Sequence, residues 1–172
     1  MALLRQHGDD DKVGPSHFRM HEKMFAIGDD YWIENGDGDK VFKVNGKAFR
    51  VRDTLALEDP SGHELYKIQE KKMTIRDKMD IERGGDTIST VKKAMIHLRD
   101  RFIVHVNDGS ELEVHGRITD HEYKIERDGD KIAEVSKRWF RIRDTYGIEI
   151  KPHQDVPLLL SVCVCVDQMS HD

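Results

Sequence analysis

A short element ending in aspartate recurs along this chain. MFAIGD ends at Asp29, AFRVRD at Asp53, KMTIRD at Asp77, MIHLRD at Asp100, HGRITD at Asp120 and WFRIRD at Asp144, at intervals of 24, 24, 23, 20 and 24 residues. Such a period means that one supersecondary unit is iterated, and the unit constrains the fold. Inside each interval lies a second signal: Asn35-Gly36, Ser61-Gly62, Gly84-Gly85, Asp108-Gly109 and Asp128-Gly129. These dipeptides supply the positive φ of tight hairpins. Each unit therefore reads as strand, tight turn, strand, then an Asp-marked turn. The residues between alternate as half-buried strands do, for example Glu111-Leu112-Glu113-Val114 and Ile132-Ala133-Glu134-Val135. The same period places Phe25/Ile27, Phe49/Val51, Met73/Ile75, Ile96/Leu98 and Phe140/Ile142 on one face.

Counting the units predicts twelve strands, from about 18–27 to 145–150. Short connections make neighbours antiparallel. An open sheet of that width would leave two exposed edges, so closure into a barrel is expected. About eight strands already make a barrel as wide as its own side chains can fill, so something must occupy the lumen. The segment 156–166, VPLLLSVCVCV, is apolar nearly all round, as an element buried on every side must be. Propensity alone favours a strand over 162–166, because the segment ends Val-x-Val-x-Val. Asp155 as a cap, Pro157 near a helix start and the need to fill the barrel favour a helix. Cys163 and Cys165 then serve as small close-packing residues.

Composition agrees. Val and Ile total 27 of the 172 residues against 16 for Ala and Leu, which disfavours a helical bundle. The net charge of −5 argues against a dedicated nucleic-acid binder. No apolar run approaches the ~18–20 residues of a membrane span. No long apolar stretch near the N-terminus marks a signal peptide, so the cytosol is the expected compartment, with peripheral membrane attachment open. Residues 1–17 lack the repeat and read as a flexible tail, leaving 18–169 as one domain, expected to be monomeric.

The repeated R-x-R-D and I-R-D elements, the I-T-D-H-E-Y run from Ile118 to Tyr123 and S-K-R-W-F from Ser136 to Phe140 resemble the LURP-one-related family. That family is similar in fold to the C-terminal domain of tubby proteins and to phospholipid scramblases. The resemblance covers roughly 18–169. It implies a mostly β, twelve-stranded antiparallel closed barrel around a buried C-terminal helix, 157–169. Tubby domains bind phosphoinositide head groups. Scramblases are associated with lipid movement and calcium but carry a membrane segment, for which the apolar run here is too short. The resemblance implies no catalytic residue.

The remaining chemistry is sparse. Arg52-Asp53, Arg76-Asp77, Arg99-Asp100 and Arg143-Asp144 read as structural turns, Asp accepting backbone N–H groups and Arg bracing a neighbouring strand. The ten histidines show no ligand spacing and read as surface residues, with His105 and His115 only loosely opposite across a hairpin. Asn35–Asp39 has the look of an ion loop, but its twelfth position is Gly46, so a polar hairpin turn is expected. Cys163-x-Cys165 is a weak metal signal. No cofactor is implied. Neither a phosphate loop, a nucleophile elbow nor a zinc-protease motif occurs, so a non-enzymatic role is expected. Lys47, Lys71, Lys72, Lys92, Lys93, Lys137 and Arg138 fall in one phase of successive repeats. Neighbouring strands would bring them into a basic stripe for anionic lipid head groups, at about 1 kcal/mol per cation. Alternation would point Lys71 inward unless a bulge or strand end intervenes. The alternative is a protein-interaction or regulatory scaffold without lipid affinity.

Overall fold

The computed structural model describes residues 13–21, 30–46, 54–71, 78–96, 99–140 and 144–170, with backbone alone at 95–96 and 99–100. It contains the twelve strands: β1 (Ser16–His21), β2 (Tyr31–Asn35), β3 (Lys40–Asn45), β4 (Thr54–Glu58), β5 (Glu64–Glu70), β6 (Lys78–Arg83), β7 (Asp86–Ile96), β8 (Arg99–Val106), β9 (Glu111–Arg117), β10 (Glu122–Arg127), β11 (Asp130–Ser136) and β12 (Thr145–Ile150). Each pairs antiparallel with the next. β1 closes the barrel on β12, with Phe18 opposite Ile148. The barrel begins at Ser16, inside the segment expected to be a tail: Ser16 and His17 pair with Ile150 and Glu149.

Closure has a local signature. The register shifts at Ile33/Glu34, Leu57/Glu58, Ile81/Glu82 and Ile125/Glu126, each just before a glycine turn. A bulge bends its strand and increases twist, as a closing sheet needs. The aliphatic-Glu pair is thus a third repeated element.

Helix α1 (Val156–Ser170) fills the lumen, with Leu158 through Asp167 buried without interruption. It caps as expected: the Leu158 amide donates to Asp155 Oδ1 at 3.0 Å. The Tyr66 hydroxyl of β5 donates to the other carboxylate oxygen at 2.7 Å, tying the helix start to the wall. Ser161, fully buried, donates to the Pro157 carbonyl at 2.9 Å. Val162, Val164 and Val166 are helical despite their strand preference. Burial on every side outweighs a propensity cost of a few tenths of a kcal/mol per residue. Cys163 and Cys165 are free thiols with no exposure.

Two expectations about individual positions fail. Arg99-Asp100 is not a turn: both residues sit in the β7–β8 ladder, opposite Ile96 and Met95. His121 is not a surface residue but is 4% exposed. Asp144 does stand in a turn before β12, at φ 59°. Arg52, Asp53, Arg76, Asp77 and Arg143, and the paired apolar positions at 25/27, 49/51, 73/75, 98 and 142, lie outside the described residues.

Candidate functional site

The barrel has two chemically different ends. At one end are the glycine turns. Asn35 Oδ1 accepts from the amides of Asp37 and Asp39 at 3.0 and 2.9 Å. So Asn35–Asp39 is the expected polar hairpin turn. Asp59 Oδ1 accepts from the Ser61 amide and hydroxyl and from the His63 amide, and Asp108 from the Ser110 amide. Ser61 beside Asp59 and Ser110 beside Asp108 hold both carboxyls below the usual carboxylate range. This end is acidic: Asp37, Asp39, Asp59, Glu64, Asp86, Asp108, Glu111, Asp128, Asp130 and Asp155 outnumber Lys40, Arg83, Arg127, Lys131 and Lys151.

The expected basic residues that are described, Lys71, Lys92, Lys93, Lys137 and Arg138, belong to the other end, but they do not form one stripe. β7 and β11 are separated by β8, β9 and β10. Lys47 and Lys72 lie outside the described residues. Lys93 shares its face with inward Phe102, its ladder partner, and its Nζ donates to the Met169 carbonyl at 3.3 Å. There a cation meets the negative end of the helix dipole. Lys71 follows the last residue of β5, the strand end its outward position required. Its Nζ donates to Gln69 Oε1 at 3.3 Å and lies 3.8 Å from Glu82. Exposed Lys92 pairs across the ladder with Lys78, whose carbonyl accepts from the Lys71 amide. Lys71, Lys78 and Lys92 therefore gather on three neighbouring strands.

Lys137 and Arg138 make a second, more elaborate feature. With Trp139 they form a 3-10 turn (Lys137–Trp139) standing on the outside of the barrel. Ser136 Oγ caps it by accepting from the Arg138 amide at 3.1 Å, and donates to Glu122 at 3.0 Å. Glu122 Oε1 also accepts from the Lys137 amide at 3.1 Å and lies 3.7 Å from Arg138 Nε. The seat is Gly147, opposite Ser136 in the ladder. A Cβ there would lie 2.7 Å from Phe140 Cε2 and 2.8 Å from Trp139 Cε3. Arg19, paired with Glu34 at 2.6 Å, places its guanidinium 5.4 Å from the Phe140 ring centre. The outcome is a braced turn presenting two cations, with Arg138's side chain 74% exposed, beside a tryptophan 41% exposed.

Behind this turn, inside the barrel, lies a polar cluster that the sequence reading missed. The Tyr146 hydroxyl donates to Asp167 Oδ2. His121 Nε2 is 3.4 Å from Asp167 Oδ1, and its ring stacks on Tyr146 with centroids 4.4 Å apart. Burial, then the Asp167 charge, pushes the Tyr146 phenol well above its ordinary range. Burial likewise raises Tyr31 and Tyr123, and pushes the Cys163 thiol up to about 12. Cys163 is fully buried and packs in the core. His105 and His115 stay apart, near Glu111 (3.2 Å) and Glu126 (2.9 Å). Among the described residues no three His, Cys, Asp or Glu side chains group as metal ligands, and no helix is long and apolar enough to cross a membrane.

A closed twelve-stranded antiparallel barrel around one C-terminal helix defines the tubby-like class. A solved X-ray structure of a protein from Arabidopsis thaliana has the same fold, with a TM-score of 0.70 at 18% identity over 91% of this chain and 92% of that one. The LURP-one-related family model matches residues 16–167, and the chain belongs to that family. No curated protein sequence matches it.

Proposed function

We propose that this protein is a non-enzymatic binding protein that docks on anionic lipid head groups, phosphoinositides included, with the end that carries the Lys137–Trp139 turn toward the bilayer. The supporting observation is the braced turn at Lys137–Trp139. Two cations and an indole are what a head-group region receives, charge meeting phosphate and indole settling at the interface. Bracing by Ser136, Glu122 and Gly147 means little ordering entropy is lost on docking. Exposed Lys92 adds positive charge on the same end, beside Lys71 and Lys78, which lie 3.8 Å from Glu82 and Asp80. The acidic glycine-turn end would orient the molecule away from the same surface.

Flotation with vesicles, with and without phosphoinositide, at about 50 and 200 mM salt tests this, because screening grows across that range. Binding that needs the anionic lipid, fades with salt and falls in Arg138→Glu and Lys92→Glu supports it. No binding of the wild-type chain at low salt overturns it and favours a protein partner.

A further inference from the structure

The buried cluster and the exposed turn stand back to back. His121 points into the barrel and Glu122, the next residue, points out to brace Lys137 and Arg138. Tyr146 points in toward Asp167 and Gly147, the next residue, seats Trp139 and Phe140 outside. The two backbone steps 121–122 and 146–147 are therefore shared between a helix clasp and a docking turn.

The clasp has features of a positioning device. Most of α1 is apolar on all sides in an apolar lumen, and apolar burial is non-directional. Apolar packing alone sets the axial and rotational register of such a helix weakly. Polar contacts set it sharply, since a misplaced buried carboxylate loses its partners. Side-chain hydrogen bonds or ion pairs join the wall to the helix at its cap, through Tyr66 and Asp155, and near its end, through Lys93 with Met169 and Asp167 with Tyr146 and His121, with Tyr123 against Cys163 between them. His121 holds a left-handed backbone at φ 51° and ψ 44°, uncommon for a residue with a side chain. That conformation closes the 3-10 turn Ile118–Asp120 and reverses the chain into Glu122.

We infer that Asp167, through Tyr146 and His121, sets the placement of the Lys137–Trp139 turn, so that the C-terminal helix controls how the docking surface is presented. Asp167, Tyr146 and His121 are positioning residues; none reaches the surface. The coupling itself is independent of any ligand, and only its consequence at a membrane rests on the docking reading.

The test uses the full chain labelled with 5-fluorotryptophan, which gives two signals, from Trp32 and Trp139, assigned by Trp32→Phe. Trp32 lies on β2 beside Lys40 and serves as the internal control. Tyr146→Phe keeps the ring stack and removes only the hydroxyl. It should move or broaden the Trp139 signal, leaving the Trp32 signal and the far-UV spectrum unchanged. Asp167→Ala should do the same more strongly, whereas Asp167→Asn, which keeps an acceptor for Tyr146, should restore Trp139 close to its native signal. A folded Tyr146→Phe protein with an unmoved Trp139 signal overturns the proposal. So does equal disturbance of both tryptophans, which would mean general loosening. If Asp167→Ala does not fold, Tyr146→Phe decides alone. Vesicle affinity of Tyr146→Phe should fall roughly fivefold if the docking reading also holds. A wild-type chain that ignores vesicles sinks that reading and leaves the fluorine result to judge the coupling.

Discussion

The two ends of this barrel use glycine for opposite reasons. Gly62 at the turn end has φ +88° and nothing within 4 Å of where a Cβ would stand: it is there for backbone sign. Gly116 at the far end has φ +140°, and a Cβ would stand 2.6 Å from the Glu122 carbonyl oxygen and 2.8 Å from Tyr123 Cα. It is there because two backbones touch. The same contrast runs through the hydrogen bonds. Asn35, Asp59 and Asp108 bond within four residues of themselves. At the other end Glu122 reaches Lys137, and Asp167 reaches Tyr146 and His121. Local closure makes each glycine turn self-sufficient, although the helix start at that end is tied to the wall through Tyr66 and Asp155. Long-range closure makes the other end depend on the assembled barrel and on the helix inside it.

The hardest test of that dependence is to remove the helix. A chain ending at Asp155 keeps every glycine turn but leaves a lumen that its own strands cannot fill. It should show no cooperative melt and should bind a hydrophobic dye. A folded, monomeric remainder would mean that the strands alone hold the barrel.

Alkali tests the interior without mutation. Burial raises Cys163 from 9.0 to about 12 and Tyr66, helped by Asp155, from 10.0 to about 12. A raised value means that the folded state keeps the proton which the unfolded state gives up. The stabilisation is complete below pH 9 and is lost as pH rises toward the folded values. Each fully buried thiol contributes a slope of about 1.4 kcal/mol per pH unit in that window. The melting temperature should therefore hold to pH 9, then fall steeply by pH 11. A flat profile over pH 9–11 would mean that the thiols and phenols are not sealed in the core.

The glycine contrast predicts a smaller split. Gly116→Ala meets immovable backbone and a strained φ together, and should cost roughly 3–5 kcal/mol in denaturant unfolding. Gly62→Ala has only its φ to accommodate and should cost roughly 1–2 kcal/mol. Equal losses would erase the distinction between the ends.

This contrast also decides what could be read from the sequence. Period-two alternation and glycine turns are local patterns, so the strand number, the antiparallel meander and the turn at Asn35–Asp39 were legible. The helix was legible only through the global need to fill a wide barrel, since Val162, Val164 and Val166 favour a strand locally. His121 carried a usable signal: it shares parity with inward Tyr123 and Ile125, which its polarity hid. Asp167 carried none, because its partners lie 21 and 46 residues away. The basic stripe failed for the same reason. Matching phase in sequence does not make β7 and β11 neighbours, and it could not show that Lys93 turns inward to the helix end.

The finest discrimination comes from two substitutions of similar size at opposite ends. Asn35→Ala removes the acceptor for the Asp37 and Asp39 amides, and Ser136→Ala removes the cap of the Arg138 amide and a donor to Glu122. Each should cost about 1 kcal/mol by chemical denaturation, the usual worth of one capping side chain. Stability cannot tell them apart, but function should. Asn35 closes a turn that nothing else uses, so its loss should leave vesicle binding at the wild-type level. Ser136 holds the turn that presents Arg138 and Trp139, so its loss should weaken binding at unchanged net charge. Equal binding by the two variants would mean that charge alone, not a braced surface, carries the docking. The docking end would then be distinguished only by the cations it carries.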